Sequence, residues 1–176
     1  MKKLLTILCL VFLSSCSQEP EVVQEPEVIT GPFLFRDGVT YYQDTNEPIT
    51  GTVVSFYDNG QLRWRENYKD GNRDGLSERF YENGQLQVIS NFKNGERDGL
   101  SEGFRKNSQL SFRGNYKDGK EGGLWESYYE NGQLERRGNF IDGEYDGVHE
   151  YFDKYGNLSM TETYRKGELI ETNENP

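Results

Sequence analysis

The sequence predicts an all-β protein, an elongated single-layer antiparallel β-meander of repeated hairpins. Three observations carry that expectation. Residues 51–170 divide, with no insertion, into five repeats of 24 residues. Turn-forming pairs recur within them: Asn-Gly at 59–60, 83–84 and 131–132, then Asp-Gly or Asn-Gly at 70–71, 94–95, 118–119 and 142–143. The runs between these pairs are short and rich in aromatic residues, as strands are.

The elements follow in chain order. Residues 1–15 read as a signal peptide: Lys2 and Lys3 precede an apolar run over 4–13, too short to span a ~30 Å hydrocarbon core. The stretch Leu13-Ser14-Ser15-Cys16 resembles the lipobox of bacterial lipoproteins. That resemblance implies diacylglyceryl attachment at Cys16, and Ser17 in place of aspartate implies the outer membrane in a host that has one. Cys9 leaves with the signal, so no free thiol remains for a disulfide, a metal or a nucleophile. Residues 16–32 then form an acidic Pro/Glu tether with QEPEV written twice, extended at roughly 3.1 Å per residue. Residues 33–50 form an N-terminal capping hairpin that covers an otherwise open sheet edge. The five repeats follow, and 171–176 form a polar tail.

Within the repeats, glycine is invariant at 51, 75, 99, 123 and 147, and again at 71, 95, 119, 143 and 167, while leucine is invariant at 62, 86, 110, 134 and 158. A three-residue loop at Asp58-Asn59-Gly60 pairs Phe56 with Leu62, and the same loop at 69–71 pairs Tyr68 with Asn72. That register places Leu76, Phe80, Leu86, Val88 and Phe92 on one apolar face. About ten strands at ~4.8 Å give a sheet roughly 48 Å long.

Composition narrows the function. The chain has 20 Lys and Arg against 30 Asp and Glu, and the charge goes from −10 to −12 once Lys2 and Lys3 are removed. Such a chain has no use for nucleic acid, whose phosphates need Lys and Arg. It would also be repelled from an anionic leaflet, so the lipid must hold it there. With one histidine, His149, placed on the polar face, neither a catalytic triad nor a zinc site is indicated, and no cofactor is expected. Glu78, Glu102, Glu126 and Glu150 share one repeat position on the apolar face. Abundant carboxylates allow a glycosidase-like pair among them, but repetition favours scaffold roles, with partner contact as the functional alternative. Trp64 reads as filler of the apolar face. Trp125 beside Tyr129, in line with Tyr57 and Tyr81, reads as a polar-face row suited to stacking on a peptide or glycan, or as ordinary cross-strand pairs.

The fourth repeat, GLWESYYENGQLERRGNFIDGEYDG at 123–147, resembles the bacterial variant of the MORN repeat, particularly the YwqK-type antitoxin-like proteins. The resemblance implies a scaffolding, non-enzymatic role; with the lipobox-like anchor and a single layer that leaves apolar surface uncovered, the expectation is a lipid-anchored interaction scaffold of the cell envelope that meets another protein. Its oligomeric state stays open. Two other classes compete: an antitoxin or immunity-like protein neutralising a basic effector, and an envelope glycan-active enzyme. Ser108 and Tyr155 depart from the motif at its turn positions.

Overall fold

Two kinds of turn alternate along the chain, and they set the register of everything else. The computed structural model describes residues 28–174. Its fourteen strands are β1 Val28–Ile29, β2 Phe33–Arg36, β3 Val39–Tyr42, β4 Gly51–Phe56, β5 Leu62–Lys69, β6 Asn72–Phe80, β7 Leu86–Lys93, β8 Glu96–Phe104, β9 Leu110–Lys117, β10 Lys120–Tyr128, β11 Leu134–Ile141, β12 Glu144–Phe152, β13 Leu158–Arg165 and β14 Glu168–Glu174. Strands β4 to β14 form an open antiparallel meander in chain order, with β1 added in parallel to β4. The expected single-layer meander is what forms.

The first turn is the three-residue loop expected. Phe56 pairs with Leu62, the Tyr57 amide donates to the Gln61 carbonyl at 2.8 Å, and Gly60 is left-handed at φ 82°. The second turn differs from expectation. At Asp70-Gly71 both residues have positive φ, 49° and 77°, so the loop has two residues and Lys69 pairs with Asn72, Tyr68 with Arg73. This mirror-image turn matches the right-handed twist of the strands it joins.

A second departure is larger. One extra residue bulges just after each first turn: Phe56 faces Leu62, but Ser55 faces Trp64, leaving Arg63 unpaired. The shift recurs at Arg79/Phe80, Gly103/Phe104, Ser127/Tyr128 and Tyr151/Phe152. A one-residue insertion inverts every side chain beyond it. Leu76, Phe80 and Leu86 therefore share one face, while Val88 and Phe92 lie on the other, opposite Arg79 and Gly75. The single apolar face expected from the sequence is split.

What is buried is a line, not a face. Val53, Glu66, Ser77, Ser90 and Ser101 pair in succession across β4 to β8, and the same line continues through Gly114, Gly138 and His149. We call this side the row face and the other the leucine face. On the leucine face Leu124 and Val148 stay 47% and 53% exposed. A single layer has no second layer to cover it, so burial goes to small residues overhung by larger neighbours on adjacent strands.

The hairpin β2–β3 forms its own two-stranded sheet, not an extension of the sheet edge. It docks on the β5–β6 turn, where the Thr40 amide donates to the Gly71 carbonyl at 2.9 Å and the Gly71 amide donates to the Ile49 carbonyl at 2.7 Å. A Cβ on Gly71 would lie 2.3 Å from Val39 Cγ1, so the docking requires glycine. Ile29, Ile49 and Val53 form a small core beneath, with Phe33, Tyr42, Trp64 and Tyr68 around it. The edge of β4 is covered by Val28–Ile29, residues the sequence placed in the tether. At the other end β14 takes in most of the segment read as a polar tail, because Glu171 and Thr172 pair with Thr163 and Glu162.

Candidate functional site

The four glutamates expected to mark a contact surface lie on the leucine face. Glu78 accepts a hydrogen bond from Arg65 Nε at 2.6 Å, Glu126 accepts one from Arg113 Nε at 2.6 Å, and Glu150 is paired with Arg137. In the second repeat Ile89 stands where these arginines stand, so Glu102 faces Ile89 on β7. Burial, the largest single influence, pushes the Glu126 carboxyl up, but hydrogen bonds from Arg113 and Tyr128 outweigh it. The group is held below the usual carboxylate range. Successive glutamates sit two strands apart, ~9.6 Å, and Glu78, Glu126 and Glu150 are each bound to an arginine of their own.

The tyrosine row also has an internal use. The hydroxyls of Tyr57, Tyr81 and Tyr129 donate to the carbonyls of Phe80, Phe104 and Phe152 at 2.7, 2.9 and 2.8 Å. Each bond runs 23 residues forward, so these side chains fasten one repeat to the next. Arg105 takes the position in the third repeat and donates to the Tyr128 carbonyl. Asn59 and Asn131 reinforce the stack by donating to the carbonyls of Glu82 and Lys154.

Trp125 keeps the side expected of it, opposite the leucines, and the bulges on the neighbouring strands bring Trp64 and Phe112 onto that same row face. The Trp125 Nε1 donates to the Asn115 carbonyl at 3.1 Å. Its ring stacks near-parallel to Phe112 with centroids 6.1 Å apart, and meets Tyr116 and Phe140 edge-on at 5.2 and 5.9 Å. The series continues through Phe140, His149 and Tyr164. His149, expected on the surface, is 1% exposed. Burial lowers its pKa, and Nε2 bonds the Asn139 carbonyl at 3.0 Å, which fixes the proton on that nitrogen. Glycines make room for these rings. A Cβ on Gly114 would lie 2.1 Å from Trp125, and one on Gly138 2.3 Å from His149. A cleft of ≈ 270 Å³ opens between Phe112, Trp125, Arg136 and Phe140.

Sequence reasoning missed two acid–phenol clusters on this face. Glu66, 7% exposed, accepts from the Tyr68 hydroxyl at 2.8 Å and from Ser77 Oγ at 3.4 Å, with Arg73 at 3.7 Å. Burial and the Glu66 charge push the Tyr68 phenol up to about 12. Glu162 accepts from Tyr151 and Tyr164 at 2.6 and 2.7 Å, which holds its carboxyl below the ordinary range. Both glutamates fall in a column otherwise filled by Ser90, Gly114 and Gly138, and that break in the pattern was the available signal. Cys16 lies outside the described residues. Among the described residues no group of three or more His, Cys, Asp or Glu side chains is arranged to hold a metal ion. The side chains this arrangement presents are rings, guanidiniums and hydroxyls.

The MORN repeat variant matches the chain at residues 49–70, 73–94 and 121–142. The chain is thus a repeat protein carrying MORN-variant units. No curated protein matches it in sequence. Among solved structures it is similar to TarM, at 14% identity over 56% of this chain and 19% of that one, with a TM-score of 0.35. It is also similar to a chain of the GtfA/B complex bound to UDP and GlcNAc (13% identity, 80% of this chain, 27% of that one, TM-score 0.25). A third is from the accessory secretory protein 1, 2 and 3 structure of Streptococcus pneumoniae, at 15% identity over 70% of this chain and 18% of that one, with a TM-score of 0.23. The chain spans less than a third of the length of each.

Proposed function

We propose that this protein is a non-catalytic interaction scaffold of the bacterial cell envelope, held to a membrane by lipid on Cys16 and presenting its repeat sheet to a protein partner. One observation carries the scaffold reading: the side chains that repeat along the sheet fasten each unit to the next. Tyr57, Tyr81 and Tyr129 bridge repeats, and Glu78, Glu126 and Glu150 are tied to arginines of adjoining strands. A surface organised this way is stiff and leaves both faces for contact. The lipobox-like Leu13-Ser14-Ser15-Cys16 supports the anchor.

The test uses the full chain with its own signal, expressed in a host that processes lipoproteins. Metabolic palmitate label and membrane sedimentation should both be lost in Cys16→Ser. Crosslinking from the native membrane should then recover a reproducible protein partner. A soluble, unlabelled wild-type protein would overturn the anchor, and a monomer that captures nothing would overturn the scaffold. The acidic balance of 30 carboxylates to 20 basic residues favours a second reading, an immunity-like protein neutralising a basic effector. An adjacent toxin gene whose product binds this chain would select it.

A further inference from the structure

The charge of the chain is unevenly placed, and one patch opposes the rest. On the row face of β5 to β9, pairing sets Arg73 opposite Tyr68, Arg79 opposite Trp64 and Val88, and Arg97 opposite Phe92. Three guanidiniums thus gather on one stretch of a chain whose net charge is −10. The carboxylate among them, Glu66, is buried and already engaged by Tyr68, Ser77 and Arg73. Arg79 is exposed and, among the described residues, has neither a hydrogen-bond nor an ion-pair partner.

These arginines are backed by rings. Arg73 lies 4.4 Å over Phe92 and Arg97 lies 5.0 Å over Tyr116, contacts that hold a guanidinium in place; one nitrogen of Arg97 also donates to the Tyr116 hydroxyl at 3.2 Å, and the remaining donors of each fork are left for a ligand. Arg73 and Arg97 occupy the same repeat position two strands apart, ~9.6 Å along the sheet. At the hairpin end the patch deepens into a cleft of ≈ 470 Å³ between Phe35, Trp64, Tyr68, Arg73 and Arg79, inside the ~300–1,000 Å³ range of small-ligand sites.

We propose that this face of β5 to β9 binds an extended acidic glycan, with its anionic groups on Arg73, Arg79 and Arg97 and its sugar rings against Trp64, Tyr68 and Phe92. Charge complementarity selects an anion. Geometry selects a glycan over an acidic peptide. Each strand from β5 to β9 is paired on both sides, so the face offers no free backbone edge of the kind strand-adding peptides use. It offers side chains at a regular interval, which suits a polymer with a repeating charge and C–H faces for aromatic rings. The proposal stands apart from the membrane anchor and the protein partner, since it concerns one face of the sheet alone.

The test titrates the full chain in neutral detergent with four probes: an oligogalacturonate, a phosphorylated oligosaccharide, maltohexaose and an oligoglutamate peptide. Tryptophan fluorescence and calorimetry read the binding. At least one acidic sugar should bind saturably and weaken with salt, and the carboxylate and phosphate arms tell which anion is preferred. Arg79→Gln, at a side chain with no partner to lose, should weaken binding at least ~10-fold, and Trp64→Leu should remove most of the fluorescence change. Far-ultraviolet circular dichroism checks that each variant keeps its sheet, with Arg97→Gln as the second charge variant. Failure of both acidic sugars to bind, equal binding of maltohexaose, tighter binding of oligoglutamate, or unchanged affinity in both arginine variants would overturn the proposal. Loss of the pull-down partner would leave it standing.

Discussion

Replacing Gly114 with alanine tests the row-face packing directly. Gly114 has no positive φ, so its backbone accepts alanine without strain; the obstacle is the indole of Trp125, whose Cδ2 would lie 2.1 Å from the new methyl. The ring has to leave its shelf. It then gives up near-parallel stacking on Phe112, the edge contact with Tyr116 and the Nε1 bond to the Asn115 carbonyl. Overpacking costs ~1–3 kcal/mol, a lost aromatic pair ~0.5–1.5 and a lost hydrogen bond ~0.5–1.5, so Gly114→Ala should cost about 2–4 kcal/mol after partial relaxation. Gly122 supplies the control. A methyl there meets nothing within 4 Å and its φ is not positive, so Gly122→Ala should be neutral or stabilising by ~0.4–1 kcal/mol. Trp125→Ser, the residue at 77 and 101 in the same column, should rescue Gly114→Ala with a coupling above ~1 kcal/mol. Urea unfolding followed by circular dichroism gives these values. Gly114→Ala as stable as wild type, or no coupling with Trp125→Ser, would refute the assignment of the glycines as ring shelves.

The remaining expectations use the same assay. Tyr81→Phe removes the hydroxyl bond to the Phe104 carbonyl and should cost ~0.5–1.5 kcal/mol, with most of the added hydrogen exchange in β8 and the turn before β9. Gly71→Ala should undock the hairpin, because its methyl would meet Val39 at 2.3 Å and its φ is positive, and protease sensitivity over 33–42 reports it. For His149 the folded pKa is depressed by burial below the ordinary 6.5. Stability is therefore complete above pH 6.5 and falls as pH drops below it, since the unfolded chain takes the proton more readily. His149→Gln should flatten the unfolding curve below pH 6.5. Glu126 and Glu162, both below the ordinary 4.5, add a further loss only as pH falls under that value, visible as a second acid limb that Glu162→Gln diminishes.

The repeat length, the existence of each hairpin and the Phe56–Leu62 register were legible because invariant residues mark them. The bulge was not. Its extra residue is Arg63, Gln87, Ser111, Glu135 or Ser159 depending on the repeat, and a position that pairs with nothing holds no common side chain to read. That unmarked residue moves Trp64, Phe112 and Phe140 onto the face of Trp125 and His149, which lie on the unbulged strands. The turn type at Asp70-Gly71 was readable in principle, since Asp-Gly favours two positive φ values. A second signal was also present: Gly114 and Gly138 stand eleven residues before Trp125 and His149, so each large ring in a small-residue column has its vacancy on the preceding strand.

Net charge forecasts a partner only when the charges share a surface, and here they do not. Glu78, Glu126 and Glu150 lie on the leucine face, where arginines one strand away compensate them. On the row face the carboxylates Glu66 and Glu162 are bound by phenols. Phenols donate to a carboxylate without cancelling it, yet they direct its oxygens inward and leave nearby guanidiniums as the accessible charge. A ligand approaching that face between β5 and β9 meets Arg73, Arg79 and Arg97 before it meets an acid. The two faces of one acidic sheet therefore present different charges, and the bulge that swaps residues between them decides which charges each face shows.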